Sequence, residues 1–443
     1  MGTDGVPESL SPKYESSFAY YTVHSRLPVI LAQTADNLCR RKNDILKKYG
    51  QDAADELKFI IGKISKLRYE VQTNKPMLPL EGDGPDVAVW NDELAAQTAA
   101  SENGEPPKWY TATWLYLECY FYRALNDFVR LAPKLAGLDL FGDQKRTAYN
   151  NSYHAVESLL TYLMEVTTGL QKGTEKDIDE IFSEFLQVAL WGNKCDLSIS
   201  SGSENSQKQC VLEQLSHLKP NILADDTAET LSTLRSAMTA RSGDAGRVDI
   251  VLDNAGFELV TDLCLAEILL AAGLASCVHL HGKAMPWFIS DVTKGDFDWT
   301  LDTMCATNNL AVSHFGSKWK WRMQEGSWMF KAHSFWTLPY DFSQMRDRAL
   351  DLYQDLGQAD LLFFKGDLNY RKLVGDRNWD PATPFCVSLR GFHPAPLCSL
   401  RALKADTVAG LKPGLAEEVS KKEEKWQVSG NWATISFCRD LRP

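Results

Sequence analysis

The chain changes character at Val248. Val248-Asp249-Ile250-Val251-Leu252 is a short β-branched run that stops abruptly at Asp253-Asn254-Ala255-Gly256, and an amphipathic helix pattern starts at Phe257 and continues to about Ala272. A strand, a tight polar turn and a helix in immediate succession constrain the architecture strongly, because parallel strands need a long crossover, usually a helix, between them. Further apolar runs follow at Ser276 to His281, at Pro286 to Ser290 leading to Asp291, and at Leu361-Leu362-Phe363-Phe364 before Lys365-Gly366-Asp367. Their alternation with helical stretches predicts an α/β fold with a parallel sheet over residues 248–443.

The chain before this point reads differently. After a mobile start, residues 1–15, apolar residues recur at three and four spacing through Arg26 to Tyr49, Asp52 to Gln72, Trp114 to Leu131, Asn151 to Leu170 and Lys176 to Leu190. Prolines and glycines such as Pro76, Pro106-Pro107 and Gly192 cut these stretches apart, so residues 16–241 are expected to be helical. The Ser198 to Ser206 run reads as a loop, and the polar string Ala240 to Arg247 marks the boundary between the halves. A chain of 443 residues has room for two or three domains at about 150 residues each.

Charge narrows the partners. Lys and Arg number 47 against 58 Asp and Glu, a net −11, which argues against nucleic acid or an anionic membrane as partner. A small anionic substrate is still compatible, since exposed charges are screened beyond about 8 Å, but it needs its own local cationic site. The ten cysteines are scattered singly with no Cys-x-x-Cys pair, the pattern of reduced thiols. Met1 to Tyr14 carries no apolar run of the kind a signal peptide needs, and Leu263 to Leu280 is interrupted by Glu267, Gly273 and His279. The expected location is the cytoplasm, with the nucleus as a second compartment.

In open parallel sheets ligands bind beyond the carboxyl ends of the strands. Three such ends carry oxygen donors or charges: Asp253-Asn254, Asp291, and Asp367 with Lys365 and Arg371 beside it. Two carboxylates and an amide carbonyl suit a hard divalent cation such as Mg²⁺ or Mn²⁺ and leave coordination positions open for water and a phosphoryl oxygen. Taken singly, each residue has a plainer reading, since Asp and Asn after a strand are common turn formers and helix caps. The conjunction of three strand ends favours chemistry.

Competing motifs are poorer matches. A dinucleotide-type loop needs several glycines where this chain has only Gly256, a haloacid-dehalogenase phosphatase needs an Asp where Ala255 stands, and no P-loop is present. His279 and His281 face one side of a strand and read as sheet packing ahead of metal ligation. Glu258 and Asp262 follow Asn254 at helical spacing and either extend the site or serve the helix start. The aromatic cluster Trp109 to Tyr122 reads as core, and the charges of Glu417-Glu418 and Lys421-Lys422 as a solvated helix face.

At these residues the sequence resembles the damage-control phosphatase family, in its eukaryotic sugar-phosphate subfamily, whose members are also described as acidic-residue or protein-glutamate methyltransferases. The resemblance runs from Ser17 to Arg401. It is most specific at Leu115 to Tyr122, Leu190 to Ser198, Val251 to Asp262, Pro286 to Asp291, Phe364 to Leu373 and Gly391 to Leu397. It implies a helical N-terminal region packed on a three-layer α/β/α, Rossmann-like domain, and a divalent metal, Mn²⁺, Co²⁺ or Ni²⁺. By the same resemblance Asp253, Asn254 and Asp291 would be catalytic and hold the metal. Asp253 and Asn254, the segment Asp367, Leu368, Asn369, Tyr370 and Arg371, and Lys404 would bind a sugar phosphate such as fructose 1-phosphate or fructose 6-phosphate.

The expected activity is therefore a metal-dependent phosphomonoesterase. Lys404 and Arg371 would neutralise the phosphate while water or a carboxylate attacks in line. An alternative is S-adenosylmethionine-dependent methylation of protein glutamates, with Glu258 and Asp291 as cofactor-binding residues. A further alternative is a non-catalytic scaffold that senses sugar phosphates. The subfamily's Arg-Thr-x-Lys pattern appears as Arg401-Ala402-Leu403-Lys404. Losing that hydroxyl removes a hydrogen bond worth about 0.5–1.5 kcal/mol, or roughly 1.5–3 kcal/mol to a charged phosphate, which predicts weaker binding or a shifted substrate preference.

Overall fold

The computed structural model describes residues 5–173, 177–192, 194, 215–241 and 246–440. The expected loop at Ser198 to Ser206 and the polar positions 242–245 lie outside the described residues. Among the described residues, seven strands form one sheet: β1 (Ile222–Asp225), β2 (Arg247–Val251), β3 (Cys277–Gly282), β4 (Trp328–Ala332), β5 (Leu361–Lys365), β6 (Leu397–Ala402) and β7 (Ala433–Cys438). Their order is β1-β7-β6-β5-β2-β3-β4, and all neighbours are parallel except β6 and β7. The chain is thus a mixed α/β protein with a mostly parallel sheet, as its strand and helix alternation predicts.

Alternation along the central strands divides the interior into two cores. Val248, Ile250 and Leu252, with Leu361 and Phe363, face the helices Tyr153–Gln171, Ile178–Leu190 and Phe257–Ala271. Val251, Leu362 and Phe364 face the opposite layer, which includes the helices Leu27–Tyr49, Gln51–Gln72 and Trp114–Arg130. Residues buried on both sides explain why β2 and β5 read as nearly continuous apolar runs. From β2 the chain continues to β3 and β4 on one side, while β5 lies on the other. This reversal makes the ends of β2 and β5 the place for a binding crevice.

Three expectations need correction. The stretch 16–241 is not helical throughout, because β1 joins the sheet beside β7 and the helices from Tyr153 onward pack with the sheet. The run Pro286 to Ser290 is a turn, with Phe288 at φ 43° and Ile289 at φ 71°. The start of the chain is tied down within its described part: Leu10 N–H donates to Asp376 O (2.8 Å), Trp114 N–H to Leu10 O (2.8 Å) and Asn378 N–H to Glu8 O (2.9 Å). No helix among the described residues is long and apolar enough to cross a membrane.

One buried cation joins the Trp114–Arg130 helix to the helix Gly366–Val374 that follows β5. The Arg371 guanidinium donates to Glu118 (2.7 Å) and to both oxygens of Asp376 (2.8 and 3.0 Å), and lies 3.7 Å from the Trp114 ring centre. A buried ion pair adds little over an apolar equivalent, yet removing one partner strands the others. Arg371→Met is therefore expected to lower unfolding free energy by about 3–5 kcal/mol in urea titrations. A loss below about 1 kcal/mol would contradict this structural role.

Candidate active site

Asp253 and Asn254 follow β2 directly, and the backbone fastens them to the Asp291 turn. Val292 N–H donates to Asp253 O (2.9 Å), Ala255 N–H to Ser290 O (2.7 Å), and Asn254 and Asp291 form an isolated antiparallel bridge. Asn254 organises the side chains. Its Nδ2 donates to Asp253 Oδ2 (2.7 Å) and Glu258 Oε2 (2.7 Å), while the Ser290 hydroxyl donates to Asn254 Oδ1 (2.5 Å). One lone pair on that Oδ1 is left for a further partner.

The electrostatics favour a cation. Burial, reinforced by Glu258 and Asp291, pushes the Asp253 carboxyl well above its ordinary range. Burial also raises Asp291, against the pull of the Lys283 ammonium 3.2 Å from Oδ2. Lys283 donates as well to Leu252 O at 2.9 Å, so it is fixed between the end of β2 and the turn. Two buried carboxylates and an amide oxygen carried on two segments bridged to each other are hard oxygen donors, residue types that fit a divalent cation. Glu258, expected on the methyltransferase alternative to hold S-adenosylmethionine with Asp291, places its carboxylate on Asn254, with Lys365 Nζ at 3.5 Å. Asp262 lies one turn further on, 2.8 Å from Lys365, and burial lifts it to about 7 despite that ammonium.

The turn that carries Asp291 is strained. A β-branched residue at positive φ is a rare conformation, and such residues cost on the order of 1–3 kcal/mol each. Ile289 is held there by its neighbours: Trp287 is fully buried, and the Phe288 ring centre lies 4.5 Å from that of Tyr122 on the Trp114–Arg130 helix. The aromatic cluster read as core thus also braces the metal-type donors.

A cavity of about 180 Å³ opens between the ends of β2 and β5. Asp253, Glu258, Gly366, Asp367, Ala402 and Lys404 line it, with Leu190, Trp191 and Lys194 from the helical half and Ser429 and Gly430 ahead of β7. Two glycines permit the approach. A Cβ on Gly366 (φ +83°) would stand 1.9 Å from Asp253 Oδ2, and one on Gly192 would stand 2.6 Å from Thr261 Oγ1.

The segment Asp367 to Arg371 contributes less directly than expected. Only Asp367 lines the cavity; its Oδ1 accepts from Arg401 Nε (2.8 Å) and from Lys404 N–H (3.1 Å), fixing the turn that presents Lys404. Arg401 is fully buried, donates to Thr407 O (2.6 Å) and Ala405 O (3.0 Å), and lies over the Tyr370 ring. Leu368, Asn369, Tyr370 and Arg371 turn away from the cavity. Asn369 Nδ2 donates to Leu252 O (3.2 Å) and Lys365 O (2.7 Å), Tyr370 meets Ala409, and Arg371 is spent on Glu118 and Asp376. The expectation that the Arg371 guanidinium neutralises phosphate is corrected accordingly.

A second group of metal-type donors, Asp249, His281 and Asp355, has ligand atoms within 4.8 Å of one another. His281 Nε2 lies 2.8 Å from Asp249, and His279 Nδ1 4.0 Å from it. Both histidines therefore turn toward Asp249 on the sheet. The carboxylates there already have fixed cations: Arg247 donates to Asp249 (2.6 Å) and Asp355 (3.1 Å), and Lys331 to Asp355 (2.7 Å). Burial would raise Asp355, but Arg247 and Lys331 outweigh it and hold that carboxyl at about 2. Arg247 and Lys331 thus already pair with the carboxylates of this triad, whose donor types suit a divalent metal.

Comparison with known proteins agrees over nearly the whole length. Residues 22–419 match the model of the damage-control phosphatase ARMT1-like domain. A zebrafish (Danio rerio) protein described as damage-control phosphatase ARMT1 is 46% identical over 446 residues, covering 100% of both chains. A human (Homo sapiens) protein of the same description is 41% identical over 434 residues, covering 98% of each. A solved DUF89 family protein from Pyrococcus horikoshii aligns with 93% of this chain and 97% of its own at 15% identity and a TM-score of 0.42. The chain belongs to the damage-control phosphatase ARMT1-like domain family.

Proposed function

We propose that this protein is a divalent-metal-dependent phosphomonoesterase acting on small sugar phosphates, fructose 1-phosphate and fructose 6-phosphate among them. The observation that carries the reading is Asp253, buried after β2, hydrogen-bonded to Asn254 and fastened to the Asp291 turn, which lines the same cavity as Lys404. Relatives described as damage-control phosphatases support the reaction class. The cavity, about 180 Å³, is smaller than the roughly 300–1,000 Å³ typical of drug-sized ligands, which favours a small substrate.

Asp253, Asn254 and Asp291 would hold the metal, with Mn²⁺, Co²⁺ or Ni²⁺ as candidates and Mg²⁺ compatible with the oxygen donors. When bound, such an ion supplies charge neutralisation at a phosphoryl oxygen and lowers the pKa of water. Lys404 balances the remaining phosphate charge. The first turn of the Gly366–Val374 helix opens on the cavity at Gly366 and Asp367, and with no side-chain cap on it this helix start favours an anion. Trp191, Leu190 and Leu400 give the cavity its apolar wall and limit water around the ester. In-line attack by water then breaks the phosphorus–oxygen bond, and the sugar leaves as its alcohol.

Phosphate release from fructose 1-phosphate is expected to need added Mn²⁺ and to stop on chelation. Asp253→Ala and Asp291→Ala are expected to lower kcat by about a hundredfold or more. Full rate in either variant would defeat the reading. Lys404→Ala is expected to raise KM by about tenfold or more with a smaller change in kcat, since a hydrogen bond to a charged group is lost. An unchanged KM would remove Lys404 from the phosphate site. Gly366→Ala drives a methyl into Asp253 at a positive φ, so its activity should fall as far as that of Asp253→Ala. An active Gly366→Ala enzyme would show that this close approach is not required.

A further inference from the structure

Two lysines from distant parts of the chain meet at one loop of the cavity wall. Lys404 follows β6, and its side chain runs past Gly430, where a Cβ would lie 3.8 Å from the Lys404 Cε. Lys194 comes from the helical half. Its Nζ is 2.7 Å from Asn431 Oδ1 and 3.4 Å from Gly430 O, and lies 5.7 Å from the centre of the Trp191 ring. The loop between them is anchored to the sheet by Gly430 N–H donating to Leu403 O at 2.8 Å. Both lysines line the same cavity as Asp253.

We infer that Lys194 is a substrate-binding residue, the second cation of a seat for a phosphate dianion whose first cation is Lys404. The inference rests on the phosphatase reading and extends it to substrate class. A phosphate monoester carries about −1.5 to −2 charges at pH 7, and a single ammonium leaves much of that unbalanced. The acids Asp253 and Glu258 occupy one part of the cavity, and the two lysines flank Gly430 in another. A dianion lying between a metal on the acids and the lysine pair has cations on both sides. Asn431 Oδ1 and Gly430 O hold the ammonium at the cavity wall. Partial burial lowers the Lys194 pKa, and Glu423 opposes that shift. The seat selects dianionic monoesters over monoanionic diesters or sulfate esters of the same size.

Lys194→Ala and Lys194→Gln, the second keeping a stem over Trp191, are tested beside Lys194→Arg. The alanine and glutamine variants should raise KM for fructose 1-phosphate by about tenfold or more while kcat stays within about threefold. Lys194→Arg should recover most of the loss. Calorimetry of the manganese-loaded protein with inorganic phosphate should give the same loss of affinity, with sulfate binding weakened less. Unchanged KM and unchanged phosphate affinity in a folded Lys194→Gln would overturn the inference. Wild-type protein that releases no phosphate from any ester, yet binds inorganic phosphate in a Lys194-dependent way, would defeat the phosphatase reading and leave the dianion seat standing.

Discussion

Asp253, Glu258 and Asp291 hold carboxylates out of water around a single amide, Asn254, and much of the surrounding structure maintains that arrangement. Burying a charge costs several kcal/mol per ion unless it is matched. Lys283 and Lys365, each almost fully buried, supply part of the match from opposite sides. The rest is geometric: backbone bonds between the ends of β2 and the Trp287 to Val292 turn, a strained Ile289, and a glycine at 366 that admits Asp253 to the start of the next helix. On the proposed function a divalent cation supplies the remaining charge.

The helical half is more than a cover. The Trp114–Arg130 helix presses Tyr122 on Phe288 and places Glu118 on Arg371, so it supports both the turn before Asp291 and the helix after β5. The Ile178–Leu190 helix ends where Ala189 O accepts from Lys365 Nζ, and the residues after it reach the cavity as Trp191 and Lys194. Sheet ends, helical half and the loop before β7 each contribute one wall. Opening of any layer would therefore be felt at the site.

How much of this is legible in the sequence depends on range. The strand, turn and helix around Asp253 are visible because a period of two gives way to a helical period within a few residues. The same local pattern nominates Asp253, Asn254 and Asp291; the structure bridges Asn254 to Asp291 and lines one cavity with Asp253 and Lys404. Arg371 and Tyr370 are misread because a cation or hydroxyl beside a strand end looks alike whether it faces ligand or core. Only the partners at Glu118 and Ala409, 253 and 39 residues away, decide the matter. Pro286 to Ser290 has strand composition, and tertiary packing overrides it. That Lys194 and Lys404 line one cavity has no sequence signal, since the two positions meet only through the tertiary fold.

On the proposed function the cation is held by Asp253, Asn254 and Asp291 and not by Asp249, His281 and Asp355. Manganese titration followed by electron paramagnetic resonance, on the wild type, Asp291→Asn and Asp355→Asn, separates the two. One tight site is expected, lost in Asp291→Asn and kept in Asp355→Asn. Retention in Asp291→Asn with loss in Asp355→Asn would contradict it.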